Sequence, residues 1–168
     1  DVNVLNPAGI TIVSLDLNLA GSGAIEVYVT GGTRVGKQMT QSLWTLMSTG
    51  AVVGATPGGQ SPVAITPIPL AAGSYGVALR AIGVAHNYTN GPGNFATAEL
   101  ALTAGEATNT SFALPLFSPR TVNCRIHYGN GVSGTIATNT STGAGCINFP
   151  DVSSYESFAT SAAFDLAN

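Results

Sequence analysis

Along residues 13–19 apolar and polar side chains alternate without a break: Val13, Leu15, Leu17 and Leu19 are separated by Ser14, Asp16 and Asn18. A period of two belongs to a β-strand, whose successive side chains point to opposite faces of a sheet. The four apolar residues are therefore expected in a core and the three polar ones outside it. Gly21-Ser22-Gly23 follows as a turn signal. Residues 24–30 repeat the alternation, with Ile25, Val27 and Val29 inward and Glu26, Tyr28 and Thr30 outward. Two such runs joined by a short Gly-rich link predict a β-hairpin.

The same reading carries down the chain. Residues 33–42 are polar and include Arg34 and Lys37, which predicts a loop. Residues 43–47 start a strand or form a short turn leading into one, 50–55 continue it, and the Pro/Gly-rich stretch 56–62 is a loop. Residues 63–70 contain Pro67 and Pro69. Proline lacks the N–H that a ladder needs, so this strand is expected at an edge or a bulge. After a turn at 71–74, Tyr75, Val77, Leu79 and Ala81 alternate with Gly76, Ala78 and Arg80, and 84–89 is expected to pair with that strand. Asn90-Gly91-Pro92-Gly93-Asn94 is the strongest turn signal. Strands are predicted at 95–103 and 111–116. In the next, Val122, Cys124, Ile126 and Tyr128 share one face and Asn123, Arg125 and His127 the other. Gly129-Asn130-Gly131 turns into 132–138, and 146–149 forms a last short strand.

About ten short strands with turn residues between them predict an all-β fold, an antiparallel β-sandwich. Length and strand count favour a jelly-roll-like form over the immunoglobulin form, and Trp44 precedes both cysteines, unlike the order in antibody domains. One domain is expected over 1–168, with 1–8 and 151–168 as extended terminal segments. Each terminus either pairs within its own sheet or adds to the edge of another subunit.

Composition changes the picture in one respect. The 168 residues are 45% hydrophobic but only 8% charged, where about a quarter is usual. A surface so poor in charge must rely on hydroxyls, amides, attached glycans or burial against other copies of itself. The net charge of -3, with five Lys and Arg together, provides no electrostatic footprint for nucleic acid and no basic membrane-binding face. No run approaches the roughly 18 apolar residues of a membrane span, so membrane insertion is not expected. The chain starts at Asp1 rather than Met, as a processed secreted protein or a cut chain would. The expected location is extracellular or at the cell surface. There, Cys124 and Cys146 are expected to form a disulfide closing a loop of about 20 residues, worth ~3 kcal/mol; the alternative is two buried free thiols. A zinc site is not expected, because His127 and His86 are the only imidazoles and no CxxC pair exists.

No catalytic motif is present, and the expectation is a protein that is not an enzyme and has no cofactor or metal. The segment 129–134 has glycines in the wrong order for GxSxG and no following Lys-Ser or Lys-Thr for a phosphate loop. Asp16, Glu26 and Glu99 each fall at an outward strand position, as solubilising charges rather than a facing pair. His86 and His127 have no neighbouring Ser or Asp in sequence to suggest a triad. Asp151 with Asn148 and Glu156 is the nearest approach to a calcium set, and it lacks the DxDxDG pattern. Trp44, Tyr28 and Tyr88 are candidate sugar-contact aromatics, since pyranose faces stack on rings while amides bond hydroxyls; the alternative is that Trp44 anchors the core. Asn87, Asn109 and Asn139 stand in N-x-S/T sequons at predicted turns or strand ends.

The order of the segments ITIVSLDLNL, GAIEVYVTGG, SLWTLMST, AAGSYGVAL and FSPRTVNCRIHYGNG resembles a broad class of prokaryotic secreted β-sandwich proteins. The resemblance implies a surface or matrix component. Members often carry a sorting tail, which is not seen here, and the likeness assigns no functional residue. The expected function is a non-enzymatic extracellular structural subunit that assembles with other copies of itself into a filament, pilus-like fibre or layer. The second expectation is a carbohydrate-binding or adhesive module, with glycans as partners.

Overall fold

The alternating apolar positions meet in one core between antiparallel sheets. The protein is seen in a computed structural model that describes residues 1–131 and the strand Ala144–Asn148. Its strands are β1 (Val2–Val4), β2 (Ile10–Leu17), β3 (Leu19–Gly31), β4 (Thr45–Ala55), β5 (Ser61–Leu70), β6 (Gly73–His86), β7 (Tyr88–Asn90), β8 (Asn94–Ala96), β9 (Leu100–Thr103), β10 (Gly105–Thr108), β11 (Leu116–Val122), β12 (Cys124–Asn130) and β13 (Ala144–Asn148). A six-stranded sheet has the order β4-β3-β6-β1-β9-β8, a four-stranded sheet β13-β12-β2-β5, and a three-stranded sheet β10-β11-β7. The expected antiparallel β-sandwich is the fold. Its thirteen strands among the described residues exceed the expected ten or so, because several predicted runs divide. Residues 95–103, for example, fold back as the pair β8 and β9, and 111–116 lies mostly in a loop ahead of β11. Among the described residues no helix is long and apolar enough to cross a membrane.

The core is built from the predicted alternation. Leu15, Leu17, Leu19, Ile25, Val27, Ile65, Ile68, Leu100, Ile126 and Tyr128 are all buried. Val13 departs from it: it sits half-buried at a bulge in β2, where the register shifts against both β5 and β12. The extra residue of a bulge takes its side chain out of phase with the strand. Ile10 and Ile12 fill the core on the other side of that bulge.

The predicted hairpin at Gly21-Ser22-Gly23 is not formed. β3 runs straight through these residues, which instead make a register shift against β4 and β6. β2 pairs with β12 and β5 in the four-stranded sheet, whereas β3 belongs to the six-stranded one. The chain changes sheet at Asn18, which is buried between two fully buried leucines, Leu17 and Leu19. Alternation is the same whether consecutive strands fold back or cross to the facing sheet, so the pattern alone could not separate the two. The Asn90–Asn94 signal likewise joins strands of different sheets, β7 and β8, rather than a hairpin.

β5 is an edge strand, as its prolines require. It lies against the edge of β4: Thr66 N–H donates to Ser48 Oγ at 2.8 Å, and Gly50 leaves room for Val63 and the Ala64 carbonyl. At the N-terminus, residues 2–4 form an interior strand of their own sheet, between β6 and β9. The reading in which that terminus extends to another subunit does not describe this arrangement. The predicted strand at 132–138 and the segment 151–168 lie outside the described residues.

Candidate functional site

Among the described residues, four places change the chain from one sheet to another with a single residue between strands; one is Ala104, between β9 and β10, and the other three are asparagines. Asn18 joins β2 to β3, Asn87 joins β6 to β7, and Asn123 joins β11 to β12. Leaving a ladder orphans backbone groups, and buried ones must find partners. Here the corners satisfy one another. Asn87 N–H donates to the Asn18 carbonyl at 2.9 Å, and Asn18 N–H to the Asn123 carbonyl at 3.2 Å. Asn18 Oδ1 also accepts from Asn87 Nδ2 at 3.0 Å and from Gly58 N–H at 3.1 Å. Thr89 Oγ1 donates to Asn123 Oδ1 at 2.9 Å. The amide nitrogen of Asn87, one of the sequon asparagines, is thus held in this clasp. Asn109 is exposed, and Asn139 lies outside the described residues.

The sugar-contact aromatics are not brought together. Trp44 and Tyr28 are buried, with Phe112 packed against both at ring-centroid distances of 6.1 and 5.3 Å. Trp44 Nε1 donates to the Lys37 carbonyl at 2.9 Å, so Trp44 is an anchor. Tyr28 points outward as its alternation predicts, but Phe112 from the loop before β11 covers it. Only Tyr88 of the three is exposed, 46%, and the Arg120 guanidinium lies 5.3 Å from its ring centroid.

The expected disulfide is not found. Cys124 is a buried free thiol. The β12–β13 register places Cys146 opposite His127, three positions along from Cys124, whereas a disulfide needs the two Cα atoms within about 7 Å and their Cβ atoms facing. Burial, and secondarily the Asp16 charge, push the Cys124 thiol pKa well above its ordinary value. His127 also has a partner that sequence reading missed: its Nε2 lies 2.9 Å from Asp16 Oδ2. The two are far apart in sequence, and only the β2–β12 register joins them. Glu26 accepts from Tyr28 and Arg80. Glu99 lies in the turn ahead of β9 rather than at an outward strand position, and accepts from Tyr128 at 3.3 Å. Among the described residues no three of His, Cys, Asp and Glu gather in a metal-binding group.

Compared with known proteins, the chain matches no family model, no curated protein and no solved structure.

Two surfaces remain. The outer face of the six-stranded sheet carries Ala24 and Glu26 of β3, with Ile82 and Arg80 opposite them on β6 and Ala51 and Thr49 on β4. Its charges neutralise each other, Arg80 Nη1 lying 3.2 Å from Glu26 Oε2, and Ile82 and Val53 are exposed by 39% and 90%. A cavity of about 550 Å³, open in part to solvent, is bordered by β6, β10, β11 and β12. At one side Gly105 has no side chain, and Arg34 occupies that space, bonded to Glu106 Oε2 at 2.9 Å and Asp1 Oδ2 at 3.0 Å. The lining also includes His86, Tyr88, Arg120 and Cys124.

Proposed function

We propose that this protein is a non-enzymatic structural subunit that assembles with copies of itself in an extracellular or cell-surface setting. The observation that carries the reading is the outer face of the six-stranded sheet, where Ile82, Val53, Ala24 and Ala51 flank a single self-neutralised pair, Glu26–Arg80. Exposed apolar residues beside balanced charge favour contact with a second copy, because nothing on the face repels its own image. A two-fold contact would set Glu26 of one copy near Arg80 of the other, the self-complementary form of an isologous interface. The low total charge, 8%, points the same way.

The test is light scattering behind size-exclusion chromatography, with negative-stain microscopy, on the protein and on the double variant Val53→Lys/Ile82→Lys. A concentration-dependent oligomer that the variant loses, at an unchanged melting temperature, supports the reading. A monomer at every concentration tested overturns it.

A further inference from the structure

Val77, Leu79 and Ala81 of β6 pair in register with Val29, Val27 and Ile25 of β3. They therefore point to the same inner face of the sheet. The β3 partners are buried, yet the β6 residues are only partly so. Strand pairing cannot explain the difference, because each cross-strand pair shares a face. The cavity does: Val77, Leu79, Ala81 and Val84 line it, with Leu102, Val122 and Ile126. Its volume, about 550 Å³, falls in the range of small-molecule pockets, about 300–1,000 Å³.

The walls are more apolar than polar, and two polar groups in them have no partner among the described residues. His86 Nε2 and Arg120 Nε are both buried and unbonded, and both residues line the cavity. Tyr88, two residues along from His86, also lines the cavity and lies under the Arg120 guanidinium. Arg120 makes one hydrogen bond, from Nη1 to the adjacent Pro119 carbonyl, and stacks on Tyr88 and Phe117. Arg34 and Arg80 each hold a carboxylate; Arg120 holds none among the described residues. A buried guanidinium N–H without an acceptor is costly, and a carboxylate is the group that its planar fork fits best. The His86 imidazole adds no opposing charge: burial lowers its pKa from 6.5 to about 4, so it is neutral at pH 7.

We propose that this cavity binds a small amphipathic carboxylate, with its apolar body along Val77, Leu79, Val84 and Val122 and its head on Arg120 and His86. Arg80 borders both this cavity and the outer sheet face, but the proposed site rests on Arg120, His86 and the apolar lining and not on the assembly reading.

The experiment is titration of the full chain with decanoate and, separately, decan-1-ol. Calorimetry would follow binding, and methyl-resolved NMR would report where each ligand sits. Saturable decanoate binding, with shifts at Val77, Leu79, Val84 and Val122 and not at Val53 or Leu46, is expected. Arg120→Met should weaken decanoate at least tenfold and change decan-1-ol binding less than twofold. No binding, shifts confined to surface methyls, or equal losses for acid and alcohol would overturn the proposal. The wild-type comparison of acid with alcohol stands even if the variant fails to fold: a decanoate preference below threefold overturns the assignment of the head group.

Discussion

Asn18 and Asn87 are 69 residues apart in sequence and share a side-chain hydrogen bond of 3.0 Å, from Asn87 Nδ2 to Asn18 Oδ1. Each is the single residue between two strands of different sheets, and the Asn87 N–H donates to the Asn18 carbonyl as well. Asparagine suits these corners because its side chain carries both a donor and an acceptor, replacing ladder bonds that end there. Asn18 is 1% exposed, so any partner it loses is not replaced by water.

Asn18→Ala removes the acceptor for both Gly58 N–H and Asn87 Nδ2. The loss should be about 2 kcal/mol of stability, since a stranded buried donor costs roughly 1–3 kcal/mol while Gly58 is exposed and its N–H can turn to water. Urea unfolding at pH 7 measures it; a change below about 0.5 kcal/mol, the scale of a neutral surface substitution, would count against the clasp.

His86 makes stability depend on pH. Its folded pKa, about 4, lies below the ordinary 6.5, so between these values the unfolded state binds more protons. Stability is then full above pH 6.5 and falls as pH drops toward 4, by at most about 3 kcal/mol. In His86→Leu this part of the slope should vanish, with little loss at pH 7. Subtracting the variant's urea stabilities from those of the wild type between pH 4 and 7 cancels the contributions that the two proteins share. A flat difference would refute the assignment.

Cys124 should alkylate only on unfolding. Iodoacetamide at pH 8, followed by peptide mass analysis in a Cys146→Ser background, should leave Cys124 unmodified in the native protein and modify it fully in denaturant. In the wild type, reductant should shift the melting temperature by less than about 1 °C, whereas loss of a disulfide worth 2–4 kcal/mol would shift it by several.

Gly50→Ala should destabilise by about 2 kcal/mol, because overpacking forces the two sheet edges apart. A Cβ there would lie 2.6 Å from the Ala64 carbonyl oxygen and against Val63 Cγ1. Gly129→Ala is the control: among the described residues nothing lies within 4 Å of its Cβ position, and replacing glycine in allowed backbone is neutral or mildly stabilising. Equal melting temperatures for the two variants would show that the β4–β5 contact is looser than described.

Much of the secondary structure could be read from the chain by itself, as could the edge position of β5 and most of the core. Alternation reports which side chains leave water, and proline reports where a ladder must stop; both are local properties. Leu15, Leu17, Ile25, Val27 and Ile126 are buried as their spacing predicts. The charge-poor surface was equally legible, because composition needs no coordinates.

What only the tertiary structure decided is which strands meet. Leu17 and Leu19 keep their alternation through Asn18 although they belong to different sheets, so the corner left no trace in the pattern. The same holds for Asp16 with His127, 111 residues apart, and for Cys124, whose distance along the ladder from Cys146 depends on the β12–β13 register. Arg120 looked like any strand arginine. Its want of an acceptor among the described residues and the cavity beside it depend on how the sheets stand to one another, and a one-dimensional pattern records the faces of strands but not the space between them.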